Sequence, residues 1–168
     1  MRSPFAVFNK RLSALILLVM CLNGCQGTLS GFKAGTVKEA DRLPIMAEGE
    51  HSAFWKGYDL TVNYQYVRNR DELKISGAVE FADQFKNNFL LIKYFHLDGI
   101  FLDSEGRVLA VSGLVSGSRL YSEDALSFSR LLKLPDHTVS IAFSYTGDAL
   151  TGGDDGGSFN YFWTYPIN

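Results

Sequence analysis

From Phe54 onward the chain alternates apolar and polar residues with a period of two, and no other feature constrains its fold as strongly. Leu60, Val62, Tyr64 and Tyr66 alternate with Thr61, Asn63 and Gln65. Leu73, Ile75, Gly77, Val79 and Phe81 alternate with Lys74, Ser76, Ala78, Glu80 and Ala82. Successive strand side chains point to opposite faces, so each run predicts a half-buried strand. The polar Arg68-Asn69-Arg70-Asp71 between them reads as a hairpin turn.

The pattern recurs to the end of the chain. Residues 89–102 form a longer apolar run, with Phe95, Leu97 and Phe101 on one parity and His96 and Asp98 on the other. Asp103-Ser104-Glu105-Gly106 supplies turn chemistry, with Gly106 suited to positive φ, and residues 108–114 return. Leu126 and Phe128 open a segment that ends near Leu134-Pro135-Asp136. Val139, Ile141, Phe143 and Tyr145 then alternate with Ser140, Ala142 and Ser144, and Gly147 is expected to close that strand. The tail carries Phe159, Tyr161, Trp163 and Tyr165 on one parity before Pro166 stops it. No window holds a helical 3.6-residue period with caps. About seven short strands joined by Gly, Asp, Asn and Pro turns predict an all-β fold, an antiparallel β-sandwich.

Three segments, 73–81 (Leu-Lys-Ile-Ser-Gly-Ala-Val-Glu-Phe), 101–109 (Phe-Leu-Asp-Ser-Glu-Gly-Arg-Val-Leu) and 141–145 (Ile-Ala-Phe-Ser-Tyr), resemble small immunoglobulin-like domains of the bacterial envelope. In those domains a strand ends in Asp-x-x-Gly-x-Val and a later strand alternates aromatics. The resemblance implies an immunoglobulin-like sandwich lacking the usual disulfide.

The N-terminus has a different character. Arg2, Lys10 and Arg11 make a basic start without acids, and residues 14–22 are nine apolar residues in a row. That is about half of the ~20 needed for a membrane-spanning helix, and it fits the h-region of a secretory signal. Leu22-Asn23-Gly24-Cys25 follows directly. Residues 1–25 resemble the signal and lipobox of bacterial lipoproteins. The resemblance implies cleavage after Gly24 and a lipid on Cys25, the only membrane anchor expected. Gln26 stands where an Asp would resemble an inner-membrane retention signal, so the family rule implies the periplasmic face of the outer membrane. The implied organisation is a signal peptide at 1–24, a lipidated tether at 25–50 and a sandwich at 51–168. Residues 37–46 fit a short strand or a short helix equally.

Cysteine usage and charge agree with this address. The chain has two cysteines, Cys21 and Cys25. The first leaves with a signal and the second carries lipid, so no disulfide is expected. The 143 residues after Cys25 suffice for one domain burying ~68% of its unfolded surface. The whole chain has 16 basic and 18 acidic residues; losing Arg2, Lys10 and Arg11 leaves 13 against 18, a net of −5. A mildly acidic domain carries no electrostatic footprint for nucleic acid.

Few residues point to chemistry. His96 and Asp98 are two apart on a strand and share a face, an arrangement that can orient a metal ligand or a general base, or simply make a polar outer face. His51 and His137 lie in loop-like contexts, and no His/Cys/Asp/Glu spacing resembles a zinc site. Gly152-Gly153-Asp154-Asp155-Gly156-Gly157 joins carboxylates to glycines but lacks the EF-hand spacing and a phosphate-binding lysine, so a solvated loop is expected. No Gly-x-Ser-x-Gly elbow is present. No cofactor is expected, and an enzyme with an unrecognised site is the weakest reading.

The aromatic tail is the sharpest oddity. Tyr161 and Trp163 either cover the core as a final strand, which is the expectation, or form a ligand-binding platform together with Trp55. Two functions follow for a lipid-anchored envelope domain. The first is a non-enzymatic module for protein interaction or envelope assembly, working through a sheet edge or an aromatic patch. The alternative is a glycan- or peptidoglycan-binding module using surface aromatics. Contiguous exposed aromatics beside a groove favour the glycan. The lipobox itself yields one outcome: Cys25→Ala should incorporate no labelled palmitate and should accumulate as precursor or soluble protein. Palmitate labelling that survives in this variant would refute the lipoprotein reading.

Overall fold

A computed structural model of the chain describes residues 35–47, 49–121, 124–151 and 158–168. Leu22, Asn23, Gly24, Cys25, Gln26 and the run 152–157 lie outside the described residues. The predicted alternation becomes an all-β sandwich with nine strands among the described residues. They are β1 (Leu43–Pro44), β2 (Glu50–Lys56), β3 (Leu60–Asn69), β4 (Glu72–Phe81), β5 (Phe89–Leu102), β6 (Val108–Tyr121), β7 (Leu126–Lys133), β8 (Ser140–Thr151) and β9 (Phe159–Thr164). The seven expected strands are β3 to β9. The two beyond that count are β1, only two residues long, and β2, where Phe54 and Trp55 adjoin and blur the period.

All pairings are antiparallel. One sheet runs β2-β3-β4-β7; the other runs β1-β8-β5-β6, with β9 beside β8 on the edge shared with β1. Consecutive β2, β3 and β4 form a meander in one sheet, whereas an immunoglobulin constant domain divides its strands as ABED and CFG. The likeness to immunoglobulin domains therefore extends to the two-layer architecture and not to the strand order.

Local chemistry explains the hairpins. The β3–β4 loop is Arg70-Asp71, flanked by the pair Asn69 and Glu72, and Arg70 takes φ 55°. In the β5–β6 turn the Asp103 carboxylate accepts from the Glu105 and Arg107 backbone N–H groups, both at 2.9 Å, and from Arg107 Nε at 2.6 Å. Burial opposes ionisation of Asp103. The backbone donors and the Arg107 guanidinium prevail and hold its pKa below the usual carboxylate value. Gly106 takes φ +82°, as the turn reading requires.

The inner faces match the predicted parities at Leu60, Val62, Tyr64, Tyr66, Leu73, Ile75, Val79, Phe81, Phe95, Leu97, Phe101, Ile141, Phe143 and Tyr145, all buried. Three details differ. Val139 is exposed and precedes β8, where its backbone bonds Leu102 and Ile45. Gly147 does not end β8, which continues to Thr151. A one-turn helix, α1 (Asp83–Asn88), joins β4 to β5 and inserts the buried ring of Phe85 at the end of the core. Six residues are too few to leave a periodic signal in the sequence.

The expected tether at 25–50 is part of the domain in its second half. Val37 and Ile45 are buried, and Thr36 and Val37 bridge to Arg107 and Ile167. With Ile100, Leu102, Ala142 and Ile167, Val37 forms a small second core on the outer side of β5 and β8. Thus Val37 and Ile167 cover one end of that face. No helix among the described residues is long and apolar enough to cross a membrane.

Tyr145 ties the two layers together. Its hydroxyl donates to Asp59 Oδ2 at 2.7 Å, in the β2–β3 connection. Burial first, and then the Asp59 carboxylate, pushes its pKa up to about 12. Tyr64, raised chiefly by burial and then by neighbouring Tyr66, also reaches about 12. A pKa raised in the folded state means the native protein holds these protons more tightly than the unfolded chain. Their contribution to stability is fully present below pH 10 and is lost as pH rises from 10 through 12. Denaturant midpoints measured from pH 8 to 12 should therefore fall in that window, and Tyr145→Phe should flatten the fall.

Candidate functional site

The register of β9 decides which aromatics meet solvent. Phe162 pairs opposite Gly147 of β8 and is 8% exposed. A Cβ at Gly147 would overlap the Phe162 ring, so only glycine leaves the ring its seat. From there Phe162 meets Phe85 at 4.6 Å, Tyr145 at 6.0 Å, Phe95 at 6.2 Å and Phe81 at 6.4 Å between ring centroids. With residue 162 inside, the period of two puts 159, 161, 163 and 165 outside. Tyr161 is 74% and Trp163 66% exposed, and Phe159 and Tyr165 are exposed as well. The expectation that Tyr161 and Trp163 cover the core is therefore corrected: one ring, Phe162, does that work.

These rings stand on the outer face of the β1-β8-β5-β6 sheet, in rows fixed by cross-strand pairing. Trp163 is opposite Thr146, Thr146 opposite His96, and His96 opposite Ser116. One row along, Tyr161 is opposite Asp148, Asp148 opposite Tyr94, and Tyr94 opposite Ser118. Asp98 pairs with Ser144 on the other side of the Trp163 row. An open groove of about 460 Å³ lies here, lined by Asp98, Ser144, Thr146, Trp163 and Tyr165 among others.

His96 and Asp98 do share a face, and they are bonded. His96 Nε2 lies 2.8 Å from Asp98 Oδ1, and His96 Nδ1 lies 2.6 Å from Ser116 Oγ. Beside the carboxylate Nε2 carries a hydrogen, and in that neutral tautomer Nδ1 would accept from the Ser116 hydroxyl. Tyr94 stacks beside His96, with planes 8° apart. Asp148 Oδ1 is buried and finds no hydrogen-bond partner among the described residues. At the far end of the ladder Lys93 Nζ sits 4.7 Å over the Phe159 ring.

Trp55 does not join this platform. It lies on the inner side of β2, half-buried, with its ring 5.5 Å from Phe143 and 6.0 Å from Tyr145. A second open groove, of about 470 Å³, crosses the outer face of the other sheet between Ser52, Asn63, Gln65 and Ser76. Phe54 is the exposed ring beside it, against Tyr94, Phe159, Tyr161, Trp163 and Tyr165 on the first face. Among the described residues no group of three His, Cys, Asp or Glu side chains can hold a metal ion.

The sequence pointed to Tyr161, Trp163, His96 and Asp98. It missed Tyr94, Thr146, Asp148 and Ser116. Tyr94 had a readable signal, because it shares the parity of His96 and Asp98. The others depend on strand order, which no local pattern carries. No protein-family model, curated protein or solved structure matches the chain.

Phe162 and Trp163 are neighbours on opposite faces, so they predict opposite outcomes. Phe162→Ala should destabilise the fold by ~3–5 kcal/mol, as core Phe truncations do. Trp163→Ala should leave the thermal midpoint within a few degrees of the parent. Equal losses in thermal unfolding would mean the β9 register is wrong.

Proposed function

We propose that this chain is a lipid-anchored envelope protein whose sandwich binds a glycan along the Trp163 groove. The carrying observation is the groove itself, with Trp163 and Tyr165 as one wall and Asp98, Ser144 and Thr146 contributing polar groups. A sugar ring has an apolar C–H face and an edge of hydroxyls. Exposed Trp and Tyr rings offer flat apolar area to the first. Convergent carboxylate and hydroxyl groups give directional partners to the second. Rings placed every second residue of a strand recur about 6.8 Å apart, so Trp163, Tyr161 and Phe159 extend the platform along an extended polymer. The membrane partner is the lipid on Cys25, and the location is the periplasmic face of the outer membrane, both resting on the lipobox resemblance. No catalytic step is assigned.

The other reading, docking of a second envelope protein, also has one observation in its favour. Among the described residues β9 pairs only with β8, so its outer edge is open to an added strand. The two readings separate in one experiment. Full-length protein in detergent is incubated with purified peptidoglycan sacculi and with immobilised neutral oligosaccharides. Retention should fall at least about tenfold in Trp163→Ala, a loss of about 1.4 kcal/mol. If neither matrix retains the parent protein while in-cell crosslinking at Tyr161 captures an envelope protein, the protein reading replaces the glycan one.

A further inference from the structure

Resting on the glycan reading, we propose that Asp98 is the specificity residue of the groove, and that a Ser116–His96–Asp98 chain positions it to select sugars by their free hydroxyls. The chain is assembled from two strands. Ser116 Oγ and His96 Nδ1 are 2.6 Å apart, and His96 Nε2 and Asp98 Oδ1 are 2.8 Å apart, so both ring nitrogens are engaged. An exposed strand face normally leaves such side chains to water. Here the backbone makes room for the bonded pair. The β5–β6 register shifts between Leu97 and Asp98, so Gly113 rather than the buried Leu114 stands opposite Asp98. Bulges of this kind re-aim side chains at sites. A Cβ on Gly113 would lie 3.2 Å from His96 Cε1, tight enough to press on the ring.

Only 17% of the Asp98 side-chain surface is open, and Asp98 lines the groove shared with Trp163 and Tyr165. One carboxylate oxygen is committed to His96. An ionised carboxylate has no donor, so what it recognises in the groove must donate. Sugar hydroxyls do, in charge-assisted bonds stronger than neutral ones. A carboxylate or phosphate on the sugar meets like charge at Asp98, and at Asp148 one row away. The Lys and Arg residues within the strands of this sheet, Lys93 and Arg119, lie past Tyr94 on β5 and β6. Neither lines the groove, and Lys93 is held over Phe159. The ligand class is thus a neutral glycan, with its ring on Trp163 and its hydroxyls on Asp98.

The test titrates full-length protein in detergent with two probes, N-acetylglucosamine tetramer and galacturonic acid tetramer, by calorimetry. The parent should bind the neutral probe at least tenfold tighter. Asp98→Asn, which keeps shape but loses charge and one acceptor, should lose at least fivefold on the neutral probe and bring the ratio of the two affinities toward one. His96→Phe should lose a similar factor. His96→Gln, whose side-chain amide can donate to Asp98, should recover most of it, a rescue that a merely structural role would not give. Unchanged affinity and unchanged ratio in Asp98→Asn, while Trp163→Ala still abolishes binding, would overturn the inference and leave the glycan reading standing. Tighter binding of the uronate by the parent would overturn it too. Failure of both probes and of sacculi to bind the parent removes both readings together.

Discussion

The seat of Phe162 over Gly147 is the contact on which the rest of this molecule depends. Strand side chains alternate strictly, so the burial of a single ring sets the direction of every other residue in β9. Phe81, Phe85, Phe95 and Tyr145 close around the single Phe162 ring at that end of the core. Placing 161 and 163 inside instead would require space for two large aromatics, each burying about 150–250 Å². Overpacking a core commonly costs ~1–3 kcal/mol even for small additions. Core geometry thus forces Tyr161 and Trp163 outward. The groove is a consequence of how the inside is packed.

This explains why the fold was legible in the sequence and the site was legible only in part. Alternation at 60–66 and 73–81 survives because each of those strands packs an apolar face inward and carries mostly polar residues on the other, while in 141–145 the apolar parity faces the main core and Ala142 and Ser144 are buried as well. In the tail both parities carry rings, and the parity richer in aromatics is the exposed one. A count of aromatics cannot register how much core volume remains, which depends on Phe85 and hence on a one-turn helix without a sequence signal. The same limit applies to residues 35–47. Val37 and Ile45 are single apolar residues in a weakly patterned stretch, yet both are buried, Val37 in the small core over β5 and β8 and Ile45 in the main core. The His96–Asp98 pairing followed from strand spacing alone, while Ser116 needed the β5–β6 register.

The outer face of the β1-β8-β5-β6 sheet is consequently divided. At one end Ile100, Leu102 and Ala142 are roofed by Val37 and Ile167 and behave as core. At the other end the same strands present Tyr94, His96, Asp98, Ser144 and Thr146 beside β9. The change of character falls within β5, between Asp98 and Ile100. Exposed aromatic rings carry an aggregation liability in a soluble domain. Confining them to the half of the face away from Val37 and Ile167 keeps that liability to a bounded patch.

The groove's shape follows from side-chain size on neighbouring strands. Trp163 and His96 stand on either side of Thr146, two strand spacings apart, or about 9.6 Å. The small side chains of Thr146 and Ser144 lie on β8 between the tall indole of β9 and the bonded imidazole–carboxylate pair of β5, so the row has two high walls and a low floor. Each element is held by ladder hydrogen bonds of a continuous sheet rather than by a loop. The apolar wall and the acceptor therefore keep a fixed separation, which is the requirement for recognising a ring by its face and its hydroxyls together.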